Sequence, residues 1–225
     1  MDFIWNSYHT PREEFWNLTE RPGYLRLKVR PESLIQVLEM PPYEMKIGPS
    51  ARQKELIIDN PSFIGRRQQH MDFEANTKME FKPQNEKETA GVALIQNDNH
   101  HFRFEYTIDG GQKVIRLVKH TAKVDMDFVA KTFSYENKET KLAQEAFDSE
   151  VIYLKVTAKG QDYSFYYGES LHSMKVLMEN VDGRILCSEV ASGCSGTYMG
   201  MFASSNGEVS DNVADFDYFE YQGEN

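Results

Sequence analysis

The sequence predicts an all-β fold, a two-sheet antiparallel jelly-roll sandwich. Two observations carry this. Apolar and polar residues alternate in run after run, and turn signals rich in glycine, asparagine or aspartate separate the runs. Stretches with helical spacing are scarce.

The runs follow in chain order. "TKMEFKP" alternates from Thr77. "FRFEYTI" sets Phe102, Phe104, Tyr106 and Ile108 on one face and Arg103, Glu105 and Thr107 on the other. "DGG" at 109–111 turns the chain. "ETKLAQEAFD" suits either a short helix or a strand. In "VIYLKVTA", Ile152, Leu154, Val156 and Ala158 share a face, and "AKGQD" leads into "DYSFYYG". "VDG" at 181–183 is a turn. Cys187 alternates with Ile185 and Glu189 and is expected in a strand. "GTYMGMFAS", the turn "SSNGE" and "ADFDYFEYQ" complete the pattern. Many short strands at this spacing make a sandwich or barrel. The reading is one domain over residues 1–225, with an irregular insertion at about 35–60 marked by "MPPYEM" and "IGPS".

Composition narrows the function. With 225 residues, 40% hydrophobic and 12% aromatic, the chain can bury a core. A formal net charge of −10 argues against nucleic acid or an anionic membrane as partner. No apolar run is long enough to span a bilayer. The N-terminal segment lacks the basic and apolar regions of a signal peptide, and two cysteines are no disulfide framework. The expected compartment is therefore the cytoplasm, although a start inside a longer gene would leave that open.

The candidate chemistry is thin. No two carboxylates are singled out for glycoside hydrolysis; Asp125 and Asp127 share a strand face, as many solvated pairs do. His100 and His101 are adjacent, so in a strand they point apart and cannot share a metal. Cys194 sits between small residues in "SGCSG", but the strand that follows is not the setting of a nucleophile elbow. Arg66, Arg67, Gln68 and Gln69, with His70 after them, run straight into strand-like alternation. They suit either hydroxyl and carbonyl binding or a hydrogen-bonded row that pins a loop. Asp217 sits among aromatics in "ADFDYFEY" and is expected to be buried, held by a structural calcium ion or by backbone N–H groups.

Four blocks carry a resemblance: "FWNLTERPGYLRL", "SFIGRRQQH", "VIYLKVTAKGQDYSFYY" and "ADFDYFEYQG". The chain resembles the C-terminal concanavalin A-like domain of glycoside hydrolase family 43 β-xylosidases and arabinofuranosidases, from Trp5 to Gly223, with 35–60 fitting least. The resemblance implies a sandwich that follows an N-terminal five-bladed propeller. The propeller holds the acid and base of an inverting mechanism. That propeller is absent from this chain. The implied role is an accessory domain, inactive alone, whose partners are the catalytic propeller and, through a loop, a xylan-derived oligosaccharide. The family loop reads Gly-Gly-Phe-Thr-Gly. Here it falls on Ser192, Gly193, Cys194, Ser195 and Gly196, with Cys194 at the phenylalanine position. Cys194 is expected on an exposed tip, unpaired with Cys187. The alternative is a free-standing carbohydrate-binding, lectin-like module. Trp5, Tyr8 and Trp16 are its platforms, or else they pack against the partner domain.

Overall fold

The computed structural model describes residues 3–34, 60–127, 132–191 and 196–224, without the side chains of 124–127 and 132–135. The expected insertion at 35–60 and the loop residues Ser192–Ser195 lie almost wholly outside the described residues.

Two seven-stranded sheets face each other. In sheet A the order is β1 (Asn6–Ser7), β4 (Ser62–Arg67), β13 (Tyr198–Ser204), β6 (Thr89–Asn97), β7 (His100–Asp109), β8 (Gln112–Asp127) and β9 (Thr132–Ala146). In sheet B it is β12 (Lys175–Asp182), β11 (Asp162–Gly168), β10 (Val151–Lys159), β5 (Phe73–Glu80), β14 (Val213–Gly223), β3 (Leu25–Lys28) and β2 (Trp16–Asn17). Neighbouring strands pair antiparallel throughout. This is the expected concanavalin A-like sandwich.

The alternation sorts side chains as the sequence dictates. Phe102, Phe104 and Tyr106 of β7 and Ile152, Leu154, Val156 and Ala158 of β10 all join the core between the sheets. Phe165 of β11 crosses that core and meets Phe104 edge-on at 5.4 Å. Close approach matters at one place in sheet A. Gly200 of β13 lies opposite Gly65 of β4, and a Cβ on Gly200 would come within 2.2 Å of Gly65 Cα and Ile64 O. "ETKLAQEAFD" resolves as strand: β9 runs through Ala146.

Two expectations are corrected. Cys187 is not in a strand. A 3-10 turn, Gly183–Leu186, precedes it, and the helical turn α1 (Ser188–Ala191) follows. Asp182 starts this segment: its carboxylate accepts the Arg184 amide at 3.0 Å and is held down to a pKa of about 2 by the Arg184 side chain and then that amide. Gly183 and Leu186 are the residues this turn buries, so the period-two spacing of Ile185, Cys187 and Glu189 does not mark a strand. The second correction concerns β14. A β-bulge lies between Phe216 and Tyr218, with Asp217 as the extra residue. Phe216, Phe219 and Tyr221 therefore all pack on the core, which strict alternation forbids.

Candidate functional site

The N-terminal segment is strapped to the edge of sheet A. Asn6 and Ser7 pair with Gly65 and Ile64. Tyr8 Oη donates to the carboxylate of Asp98 in the β6–β7 turn, and His9 Nε2 lies 3.6 Å from the same oxygen. Asn60 Nδ2 donates to the Tyr8 carbonyl at 3.2 Å. Burial, then Asp98, pushes the Tyr8 hydroxyl far above its ordinary range. Burial alone would raise Asp98, but the nearby His9 ring and the Tyr8 hydroxyl outweigh it and leave the carboxyl below its ordinary value. His9 has φ = 61°, a backbone state that a non-glycine residue holds only under constraint.

This strap forms one wall of a cleft of about 340 Å³. Asn6, Ser7 and Tyr8 face Gln96, Asn97 and Tyr198 across it, with Phe63 and Ile95 beneath. Apolar surface continues outward from the strap. Phe3 is fully exposed, and Ile4 and Leu18 are 46% and 47% exposed.

A residue of the opposite wall holds the base of the loop. Asn97 Nδ2 donates to the Ala191 carbonyl at 2.9 Å, which fixes the residue before the loop. After the loop, Gly196 has φ = 73° and lies against Arg67: a Cβ there would be 3.3 Å from Arg67 Nη1. Positive φ and this contact both favour glycine. Thr197 Oγ1 donates to the Leu186 carbonyl at 3.0 Å, and the Gln68 amide donates to the Thr197 carbonyl at 2.9 Å. Both ends of the loop are thus tied to the sandwich. Ser192, Gly193, Cys194 and Ser195 themselves lie outside the described residues. Cys187 is a free thiol whose S–H donates to the Arg184 carbonyl.

The polar row Arg66–Gln69 is spent on its own neighbours. Arg66 lies over the Tyr221 ring at 4.4 Å, and its Nη2 donates to Gln69 Oε1 at 2.8 Å. Arg67 lies over Tyr198 at 5.1 Å and donates to its Oη at 3.1 Å. Gln68 Oε1 accepts from Tyr163 Oη at 3.0 Å. Burial, against that bond, raises the Tyr163 hydroxyl to about 12. Tyr221 Oη accepts the Gln69 and His70 amides. Gln68, Gln69 and His70 with Gln161, Tyr163, Cys187 and Thr197 line a second cleft of about 260 Å³ on the other side of the loop base.

Asp217 is not buried as expected. Its carboxyl is 36% exposed and is held by Lys78 Nζ at 2.8 Å, because the bulge turns it out of the core. The buried carboxylate of this strand is Asp215. Arg26 Nε and Nη2 grip it at 2.7 and 2.9 Å, and Arg21 Nη1 at 2.9 Å. Among the described residues no three His, Cys, Asp or Glu side chains converge on a metal-sized site. Asp125 and Asp127 fall in β8, and their side chains lie outside the described residues. His100 and His101 do point apart: His100 Nδ1 is 3.3 Å from Asn97 Oδ1, whereas His101 stacks on His120 at 4.8 Å. Trp5, Tyr8 and Trp16 pack on this domain's own Phe219, Phe63 and Phe15.

A family model described as the β-xylosidase C-terminal concanavalin A-like domain matches residues 1–222. The chain is 32% identical over 218 residues to a non-reducing end α-L-arabinofuranosidase of Bacteroides ovatus, covering 97% of this chain and 34% of that protein. It is 29% identical over 209 residues to a xylosidase/arabinosidase of Butyrivibrio fibrisolvens, covering 92% and 33%. The solved structure of GH43B from the Bacteroides ovatus xyloglucan PUL superposes with a TM-score of 0.73 at 30% identity, over 99% of this chain and 37% of that one. The chain spans about a third of the length of the curated relatives it matches.

Proposed function

The chain belongs to the family of β-xylosidase C-terminal concanavalin A-like domains, and from that premise we propose that it serves as the accessory domain of an inverting glycoside hydrolase of the xylosidase or arabinofuranosidase type. In this reading it packs on a catalytic propeller and lends the loop Ser192–Ser195 to close that propeller's pocket over a xylan-derived oligosaccharide. The acid and base of hydrolysis belong to the propeller. This domain's contribution is positional: it narrows the pocket, excludes water and orients the sugar.

One observation carries the reading. The N-terminal strap and Asn97, the residue that holds the Ala191 carbonyl at the loop base, line a single cleft. A partner seated against Phe3 and Ile4, beside the strap, would therefore lie next to the residue that holds the loop's root. Ties at Ala191, Gly196 and Thr197 would hold the loop's root while its tip reached outward.

The test is hydrolysis of nitrophenyl β-xyloside and nitrophenyl α-arabinofuranoside. The 225-residue chain alone is expected to turn over neither. Turnover that is abolished by replacing an Asp or Glu of this chain would overturn the accessory reading.

A further inference from the structure

Three consecutive residues join the N-terminal strap to both ends of the loop. β6 ends in a bulge: Ile95 pairs with His101 and Asn97 with His100, which leaves Gln96 as the extra residue. A bulge re-aims the side chains around it. Here Gln96, Asn97 and Asp98 reach three different segments. Gln96 Oε1 lies 3.3 Å from Thr197 Oγ1, just after the loop. Asn97 Nδ2 donates to the Ala191 carbonyl at 2.9 Å, just before it. Asp98 accepts from Tyr8 Oη and has His9 Nε2 3.6 Å away, both on the strap.

The strap needs that hold. β1 is two residues long, and so short an edge strand gains little from its own backbone pairing. Tyr8 packs edge-on to Phe63 at 6.2 Å, while His9 sits at φ = 61°, a state that only surrounding contacts maintain. The turn is braced as well. Asn97 Oδ1 accepts the Asn99 amide at 3.0 Å and lies 3.3 Å from His100 Nδ1. Asn97 therefore uses one end of its amide on the turn and the other on the loop root.

We propose that Asp98 is a positioning residue: it couples docking of the strap to the placement of Ala191 and Thr197, with Asn97 and Gln96 as the links. The strap is the element with two states, docked or released, and the turn passes its state to the loop root. Asp98 needs no sugar contact for this role. Its carboxylate holds the strap, and an ionised acceptor makes a stronger hydrogen bond than a neutral one. The coupling is a property of this domain alone. Its use rests on the proposed function, in which a partner beside the strap, at Phe3 and Ile4, thereby fixes the loop root.

Amide hydrogen exchange of the 225-residue chain, read by NMR, tests it. Two amides report on the loop root: Ala191, which donates to the Cys187 carbonyl at 2.9 Å, and Gln68, which donates to the Thr197 carbonyl at 2.9 Å. Asp98→Ala should speed both about tenfold, within the ordinary range of coupling factors. Asp98→Asn keeps an acceptor for Tyr8 Oη and should restore both to within about twofold of the parent. Tyr8→Phe removes one hydroxyl and should speed both about threefold, the loss of one hydrogen bond, and it carries the test if Asp98→Ala fails to fold. In an Asn97→Ala chain, Asp98→Ala should change Ala191 by less than about twofold, because the link is already cut. Leu154 of β10, in the core, is the control. The proposal is overturned if Ala191 and Gln68 keep the parent rate in Asp98→Ala and Tyr8→Phe, if Leu154 speeds by the same factor, or if Asp98→Ala acts at full strength without Asn97. Kinetics of the complete enzyme are a separate reading. Faster exchange in Asp98→Ala with unchanged KM and kcat upholds the coupling and contradicts the loop's role at a partner's pocket.

Discussion

Arg67 and Tyr198 hold each other across β4 and β13: the guanidinium donates to the phenol oxygen at 3.1 Å and lies 5.1 Å from the ring centre. They are register partners, and the same guanidinium lies against Gly196 at the end of the loop. The pair thus joins the sequence's polar row to the base of its candidate loop. Arg67→Ala should lower Tm by no more than about 4 °C, since an exposed cation–π contact is worth about 0.5–1 kcal/mol. A thermal melt that shows a far larger drop would give Arg67 a core role that its exposure does not support.

Phe165 links the two sheets, edge-on to Phe104 and 6.1 Å from Phe102. Phe165→Ala should cost about 3–5 kcal/mol. Urea unfolding should show the midpoint falling with little change in slope.

Acid should weaken the fold in two stages. His101 and His120 stack on the outer face of sheet A, both essentially fully buried. Burial, then Arg103 and His120, holds His101 well below its ordinary 6.5. Burial lowers His120 too, against Glu139, which raises it. Such histidines take up protons more readily in the unfolded chain. Their contribution is full above pH 6.5 and falls as the pH drops below it. Asp215 acts lower. Burial would raise it, but Arg26 and Arg21 hold it below 3.8, so its contribution is full above that value and is lost as the pH falls through it. Urea midpoints measured at pH 8, 5.5 and 3.5 should decline in that order. A His101→Gln/His120→Gln variant should flatten the first step.

The two aspartates of β14 should differ. Asp215→Ala strands Arg21 and Arg26 and should cost about 1.5–3 kcal/mol, as charged hydrogen bonds do. Asp217→Ala breaks one partly exposed pair and should cost at most about 1 kcal/mol. The calcium expected at Asp217 is tested by melting with and without chelator. Lys78 already neutralises the carboxylate, so no shift is expected; a Tm that falls with chelator and returns with calcium would restore the metal.

Much of the fold was legible because it rests on local alternation. Phe102, Phe104 and Tyr106, or Ile152 to Ala158, face the core as their spacing says. The rest depended on events that alternation does not encode. A single inserted residue at Asp217 reverses the faces of everything after it. Asp215 and its arginines are separated by 194 and 189 residues in the chain, so no local pattern announces them. The same holds for Tyr8 with Asp98 and for His101 with His120. The Arg66–Gln69 row was visible as an oddity, but its partners Tyr163, Tyr198 and Tyr221 come from strands far along the chain.

Thiol chemistry tests the expected exposure of the loop. Cys187 is half-buried at the root, with its proton on the Arg184 carbonyl. Two thiols are expected to react in the native chain, Cys194 faster than Cys187. Mass spectrometry of partly labelled protein checks the order; a 187–194 disulfide or equal rates would contradict an outward-reaching loop.

The central claim is that Ser192–Ser195 closes a partner's sugar pocket, and steady-state kinetics of Cys194→Phe in the complete enzyme tests it most directly. The account predicts a changed KM or kcat on nitrophenyl β-xyloside or α-arabinofuranoside, with the melting temperature of this domain unchanged. Kinetic constants identical to the parent's on both substrates would contradict it.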